Sequence, residues 1–148
     1  MTTPFLCNLL LVDDSEDDIF LLKRALARHP NFRVVGEAKD GDVAIDYLSG
    51  AGQFADRSRH PLPDLMVLDL KMPRRDGYEV LEWISGKSSR PRVAVFTASN
   101  LETDKARVAE LGADLFQSKS FDVEGLERFI GRLYTLCSYG SGPATPGI

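Results

Sequence analysis

Five short apolar runs, each closed by a polar or turn residue and followed by a helix-forming stretch, constrain this chain more than any other feature. Asn8–Val12 reads Asn-Leu-Leu-Leu-Val, Phe32–Ala38 alternates and is β-branched, Leu65–Leu68 and Val93–Phe96 are apolar, and Ala113–Gln117 is a short fifth run. Apolar runs without polar alternation suit strands buried on both faces, the situation of strands in a parallel sheet. The intervening segments predict helices. The first has Asp17 and Asp18 in its first turn, an apolar stripe of Ile19, Leu22 and Leu26, and Pro30 as its stop. The others are Asp42–Leu48, with Val43, Ala44, Ile45 and Leu48 facing inwards, Asp76-Gly77 through Ile84, Glu102–Leu111 closed by Gly112, and Asp122 to about Leu136. Ser49–Pro63 is the one long irregular stretch and reads as a loop. Strand-helix alternation repeated in this way predicts one α/β domain, a doubly wound parallel sheet with helices on both faces. That domain is expected over residues 1–137, with 138–148, built of Gly, Pro, Ser and Thr, as a loose tail.

A hydrophobic content of 43% in 148 residues is enough for a core and excludes the disordered class for most of the length. The net charge is −4 and the Lys and Arg residues are scattered, so no nucleic-acid partner is expected. No apolar run reaches the roughly 18–20 residues of a membrane span. Met1–Asn8 has neither a basic start nor an apolar signal core, and a cytoplasmic protein is the expectation. Cys7 and Cys137 lack metal-ligand spacing and make no disulfide framework; each reads as a small core or surface residue.

Open parallel sheets carry their sites beyond the carboxyl ends of the strands. The residues expected there are Asp13 and Asp14 after the first strand, Asp69 after the third, Thr97 at the end of the fourth and Lys119 two residues past the fifth. Three crowded carboxylates repel one another unless a cation joins them, and all-oxygen ligation favours Mg2+ or a similar hard ion such as Mn2+. Phosphoryl transfer needs a nucleophile together with a metal and fixed positive groups that neutralise the equatorial oxygens. A carboxylate can itself be that nucleophile, forming an aspartyl phosphate. Asp69 takes this role because it stands alone at the middle strand; Lys119 and Thr97 would each meet a phosphate oxygen.

Leu-Leu-Val-Asp13-Asp14, Val-Leu-Asp69-Leu-Lys-Met-Pro-Arg-Arg-Asp76-Gly77, Phe-Thr97-Ala-Ser and Gln-Ser-Lys119 together closely resemble the receiver domain of two-component response regulators, over roughly residues 8–137. The resemblance implies a flavodoxin-like sheet of order 2-1-3-4-5 and Asp69 as phosphoacceptor. It implies Asp14 as the direct metal ligand, Asp13 as a ligand through water, and the Lys71 carbonyl as a third protein contact. Phe116 matches the aromatic switch position, coupled to Thr97, which reports phosphorylation to the face of helix four, strand five and helix five. Tyr47-Leu48, Gly50, Gly52, Phe54, Arg57, Pro61 and Pro63 resemble the extended loop of the small response regulators paired with phytochromes. The implied partners are a sensor histidine kinase and an unnamed downstream protein. A stand-alone receiver, a phosphoprotein that catalyses only its own phosphorylation and dephosphorylation, is the expectation. The family usually has proline after the lysine, often in a cis peptide, whereas Ser120 follows Lys119 here. A cis bond before serine costs about 2.5–4 kcal/mol, so this peptide is where the resemblance leaves the geometry open.

Blander readings exist for single residues. Asp13 and Asp14 could cap a helix, Asp17 and Asp18 read as a solvated first turn, His29 and His60 lie off the rim, and Trp83 reads as packing. The competing function is a metal-dependent phosphatase with an aspartyl nucleophile. Such enzymes commonly carry a second Asp two residues on as the acid, where this chain has Lys71. A flavin- or nucleotide-binding protein is disfavoured because Asp13-Asp14 stands where phosphate-binding glycines would be. The apolar chain end, Leu133, Tyr134, Leu136, Cys137 and Tyr139, suggests a homodimer through the face of helix four, strand five and helix five.

Overall fold

A computed structural model describes residues 5–138. In chain order the elements are β1 (Cys7–Val12), α1 (Glu16–Leu26), β2 (Phe32–Ala38), α2 (Gly41–Ser49), β3 (Leu65–Leu68), α3 (Gly77–Ser85), β4 (Arg92–Thr97), α4 (Glu102–Glu110), β5 (Leu115–Ser118) and α5 (Val123–Ser138). The strands form one sheet of order β2-β1-β3-β4-β5, parallel throughout. This is the expected doubly wound α/β arrangement. β1 and β3 lie in the middle, and apart from Asn8 every residue in them is buried.

Alternate residues of each strand feed opposite layers. Leu9 and Leu11 join Ile19, Leu22 and Leu26 of α1 and Phe129, Ile130 and Leu133 of α5. Leu10 and Val12 join Ala44 and Tyr47 of α2, Val80, Leu81 and Ile84 of α3, and Val108 of α4. The apolar end of α5 is taken up within the chain: Leu133 is fully buried and Tyr134, Leu136 and Cys137 pack against the first layer. Their apolar character therefore does not by itself call for a second copy. Tyr139 and the expected tail lie outside the described residues, and α5 runs one residue past the predicted boundary, to Ser138.

Several predicted boundaries shift for local reasons. α1 ends at Leu26, well before Pro30, because the amides of Arg28 and His29 turn back to Ala25 and Leu26 carbonyls. β5 starts at Leu115 rather than Ala113, because the Ala113 amide closes α4 on the Val108 carbonyl (2.9 Å). Lys119 is consequently the first residue after β5. In α2 the deeply buried side chains are Ala44 and Tyr47, while Val43, Ile45 and Leu48 are only half-buried. Tyr47 goes inside because its hydroxyl finds the carbonyls of Pro61 (2.8 Å) and Val35 (3.3 Å). Gly36 of β2 makes room for it: a Cβ there would lie 2.7 Å from Tyr47 Cε2.

The stretch between α2 and β3 is irregular, as expected, apart from a 3-10 turn at Gly52–Phe54. Its organiser is Arg57, whose guanidinium donates to the carbonyls of Tyr47 (2.8 Å), Leu48 (2.9 Å) and His60 (3.2 Å). Two of these are the last-turn carbonyls that α2 would otherwise leave without partners. Tyr47, Phe54 and His60 pack ring against ring beside it.

One expectation is overturned. Cys7 and Cys137 are joined as a disulfide, with Cα atoms 6.2 Å apart. α5 runs back along the sheet and delivers its last turn to the start of β1, a pairing that the 130-residue separation conceals in the sequence.

Candidate functional site

All five strands point the same way, so the residues that follow them collect at one edge. Asp13 follows β1 directly, and its amide donates to the Ala38 carbonyl at the end of β2 (3.0 Å). Asp69 follows β3, anchored by its amide on the Val12 carbonyl (2.9 Å). The Lys119 amide donates to the Thr97 carbonyl (2.6 Å), which brings β4 and the end of β5 together. These backbone ties fix where each side chain starts.

The side chains converge. Oxygens of Asp13, Asp14 and Asp69 all lie within 4.8 Å of one another. Asp13 and Asp69 are buried and Asp14 is exposed. The Lys119 amine sits 2.8 Å from Asp13 Oδ2 and 3.2 Å from Asp69 Oδ2. Asp69 Oδ1 accepts from the Leu70 amide (2.8 Å), and Asp13 Oδ1 from the Ser15 amide (2.9 Å). Each carboxylate thus has one oxygen held by backbone and the other turned towards the lysine.

A residue read as a solvated first turn belongs here too. Asp18 of α1 places Oδ2 2.7 Å from Lys119 Nζ, closer than Asp69 does. Ser15, and not Asp13 or Asp14, caps α1, its hydroxyl accepting from the Asp18 amide (3.2 Å). That turn is what aims Asp18 into the cluster. Asp17, by contrast, is exposed as predicted.

Burial pushes the Asp13 carboxyl above its ordinary range, and the Asp69 charge adds to this, although the Lys119 and Ser15 hydrogen bonds oppose it. For Lys119, burial acts to lower the pKa, but the hydrogen bonds it donates to Asp13 and Asp18 and the charges of Asp69 and Asp13 outweigh it, and the amine is held firmly protonated. One ammonium facing several carboxylates leaves the pocket negative. Its oxygen-only donor set fits a hard divalent ion such as Mg2+ or Mn2+.

Thr97 is buried at the end of β4, and Phe116 is half-buried on β5 opposite Val95. Lys71 is exposed in the turn after Asp69. Gly77 lets that turn return closely: any Cβ there would fall on the Asp69 carbonyl and within 2.8 Å of Leu70 Cα. Asp76 and Glu79 then form a capping box that starts α3, consistent with the structural role read for Asp76. No cis peptide occurs among the described residues, so the Lys119–Ser120 bond is trans.

A second polar cluster flanks the site, and sequence reasoning did not single it out. Asp104 of α4 accepts from the hydroxyls of Tyr78, at the start of α3, and of Ser99, just after β4. The Arg107 guanidinium lies 3.9 Å from the Tyr78 ring centre, and Ser118 Oγ donates to the Ser99 carbonyl (2.9 Å). Burial, reinforced by Asp104, pushes the Tyr78 hydroxyl up to about 12. The unfolded chain releases this proton near its ordinary value of 10.0, so stability from this group is full below pH 10 and is lost as pH rises through about 12. Alkaline titration of tyrosinate absorbance should show a component at about pH 12 that Tyr78→Phe removes. An unchanged titration in the variant would show that Tyr78 is not the late group.

Residues 9–130 match the response regulator receiver domain family. The chain belongs to that family. Among curated proteins, this receiver is 33% identical over 119 residues to the nitrate/nitrite response regulator protein NarL of Escherichia coli K12, covering 80% of this chain and 50% of NarL. It is 33% identical over 127 residues to the response regulator GtcR of Aneurinibacillus migulanus, covering 85% of this chain and 47% of GtcR. The receiver spans about half the length of these curated relatives. Among solved structures it is similar to the phosphorylated cyanobacterial phytochrome response regulator RcpA, with a TM-score of 0.75, 30% identity, and 95% and 97% of the two chains covered. The Mn2+-bound form of response regulator Rcp1 gives a TM-score of 0.75 at 26% identity, with 95% and 99% covered. The bacteriophytochrome response regulator AtBRR gives 0.69 at 30%, with 98% and 100% covered. The family places the receiver in two-component signalling, and no described helix is long and apolar enough to cross a membrane.

Proposed function

We propose that this receiver accepts a phosphoryl group on Asp69 from a sensor histidine kinase, with Mg2+ or Mn2+ bound by Asp13, Asp14 and Asp69. The observation that carries the reading is the placement of Asp69: buried, its Oδ1 held by backbone, its Oδ2 3.2 Å from the Lys119 amine, and its carboxylate within 4.8 Å of Asp13 and Asp14 oxygens.

In this reading Asp69 Oδ2 attacks the phosphorus in line. The bond from phosphorus to the donor histidine nitrogen breaks, and that nitrogen keeps the electron pair and takes up a proton. Lys119 exchanges its Asp69 contact for a phosphoryl oxygen. The Thr97 hydroxyl donates to another. A divalent ion, when bound, would supply further neutralisation of the phosphoryl oxygens, and the Lys71 carbonyl would be its third protein contact. Movement of Thr97 and Phe116 then alters the face formed by α4, β5 and α5, where β5 is the edge strand of the sheet. We place the downstream partner, or a second copy of the chain, on that face. The loop built around Arg57, together with the similarity to RcpA and AtBRR, supports a phytochrome-type kinase as the donor.

Incubation with acetyl phosphate and Mg2+ should add one phosphoryl group, mapped by peptide mass spectrometry to Asp69. Chelation with EDTA should prevent it. Equal modification of Asp69→Ala would overturn the reading.

A further inference from the structure

The structure assigns Cys7 and Cys137 as a reversible thiol–disulfide pair, a redox modification site that clamps the end of α5 to the start of β1. The pair lies at the opposite end of the domain from the carboxylate cluster: α5 spans 16 residues from the Lys119 rim to Ser138, or about 24 Å of helix.

Three observations support it. The Cα separation of 6.2 Å lies within the range of about 4.4–6.8 Å that a disulfide bridges without moving backbone. The two cysteines are unequally buried: Cys7 is 2% exposed, whereas Cys137, on the last turn of α5, is half-buried. The third is that their surroundings are held by contacts independent of the sulfur bond. Phe5, Phe32 and Tyr134 pack edge to face, at 6.5, 5.6 and 4.9 Å between ring centres. Tyr134 Oη donates to Asn31 Oδ1, and Asn31 Nδ2 donates to the Phe5 carbonyl (3.0 Å). Cys137 continues the buried stripe of Ile130 and Leu133. Opening the bond leaves these contacts in place, so the thiols stay opposed and can close again.

The oxidant is a low-molecular-weight disulfide such as oxidised glutathione. The Cys137 thiolate attacks one glutathione sulfur, the glutathione disulfide bond breaks, and one glutathione leaves as thiolate. The Cys7 thiolate then attacks Cys137 Sγ of the mixed disulfide and expels the second glutathione. Each cysteine loses one proton, the protein sulfurs are oxidised by two electrons, and one oxidised glutathione becomes two reduced ones. Reduction reverses these steps through Cys137, the less buried residue of the pair.

The test equilibrates the folded full-length chain in oxidised or reduced glutathione, then alkylates it in denaturant with iodoacetamide. The oxidised chain should carry no alkyl groups and the reduced chain two. Closing a loop of this length should raise the thermal midpoint by on the order of 10 °C. Dithiothreitol should return both values. Cys137→Ser, a change at a half-buried position, should keep the fold and lose the oxidation-dependent shift. The assignment is overturned if both thiols of the oxidised chain remain alkylatable, if oxidation yields only disulfide-linked dimers, or if the bond forms without moving the midpoint.

Discussion

Replacing Lys119 by alanine should lower folding stability by about 3–5 kcal/mol in EDTA, and Mg2+ should restore much of it. The side chain is only 11% exposed, and its amine reaches Asp13, Asp18 and Asp69 at 2.8, 2.7 and 3.2 Å. Its removal leaves buried Asp13 and Asp69 facing each other and Asp14 without a cation between them. Breaking a buried pair from one side is costly because the remaining charges keep their desolvation penalty and lose their partner. A divalent ion held by this oxygen cluster in the folded chain would have no such cluster in the unfolded one, so its stabilisation should be larger in the variant than in the wild type. Urea midpoints with and without Mg2+ for both proteins decide the matter. Equal midpoints in EDTA would mean that the three carboxylates do not depend on the lysine.

Phe129→Ala should cost about 3–5 kcal/mol, independent of metal. Phe129 is fully buried in α5 and stacks on Phe96 with ring centres 4.1 Å apart and planes 10° from parallel. Truncation removes a large apolar surface and leaves a cavity between α5 and β4 that neighbouring Leu126 and Leu133 cannot fill without moving the helix. Because Phe96 precedes Thr97, the loss also loosens one wall of the site. The expected result is a lower urea midpoint by the same amount with and without Mg2+, in contrast to Lys119→Ala. A drop below 1 kcal/mol would mean that the layer repacks.

The contrast between the residues read early and those missed has a physical origin. Strands covered on both faces must be apolar along their whole length, so β1, β3 and β4 announce themselves. A parallel sheet puts every strand's carboxyl end on one edge, so locating the strands also locates Asp13, Asp14, Asp69, Thr97 and Lys119. Asp18 was misread because an acidic residue in a first helical turn already has a sufficient local explanation; what recruits it is a lysine 101 positions away. The cysteine pair and the Tyr78–Asp104 contact share that character, since each depends on how elements distant in sequence dock. Tyr47 is legible only as part of the loop pattern and not as a buried residue, because its burial requires two carbonyl partners from β2 and the loop, which no periodicity in α2 reveals.

The Arg57 arrangement has a consequence for how this protein can diversify. One guanidinium binds the carbonyls that hold the α2–β3 excursion to its helix, so the shape of that excursion is vested in a single side chain and the Tyr47 pocket beside it. Exposed positions such as Gln53, Ala55 and Arg59 carry little of it. They form an outer surface that can be rewritten residue by residue, while the carboxylate cluster at the strand ends stays untouched.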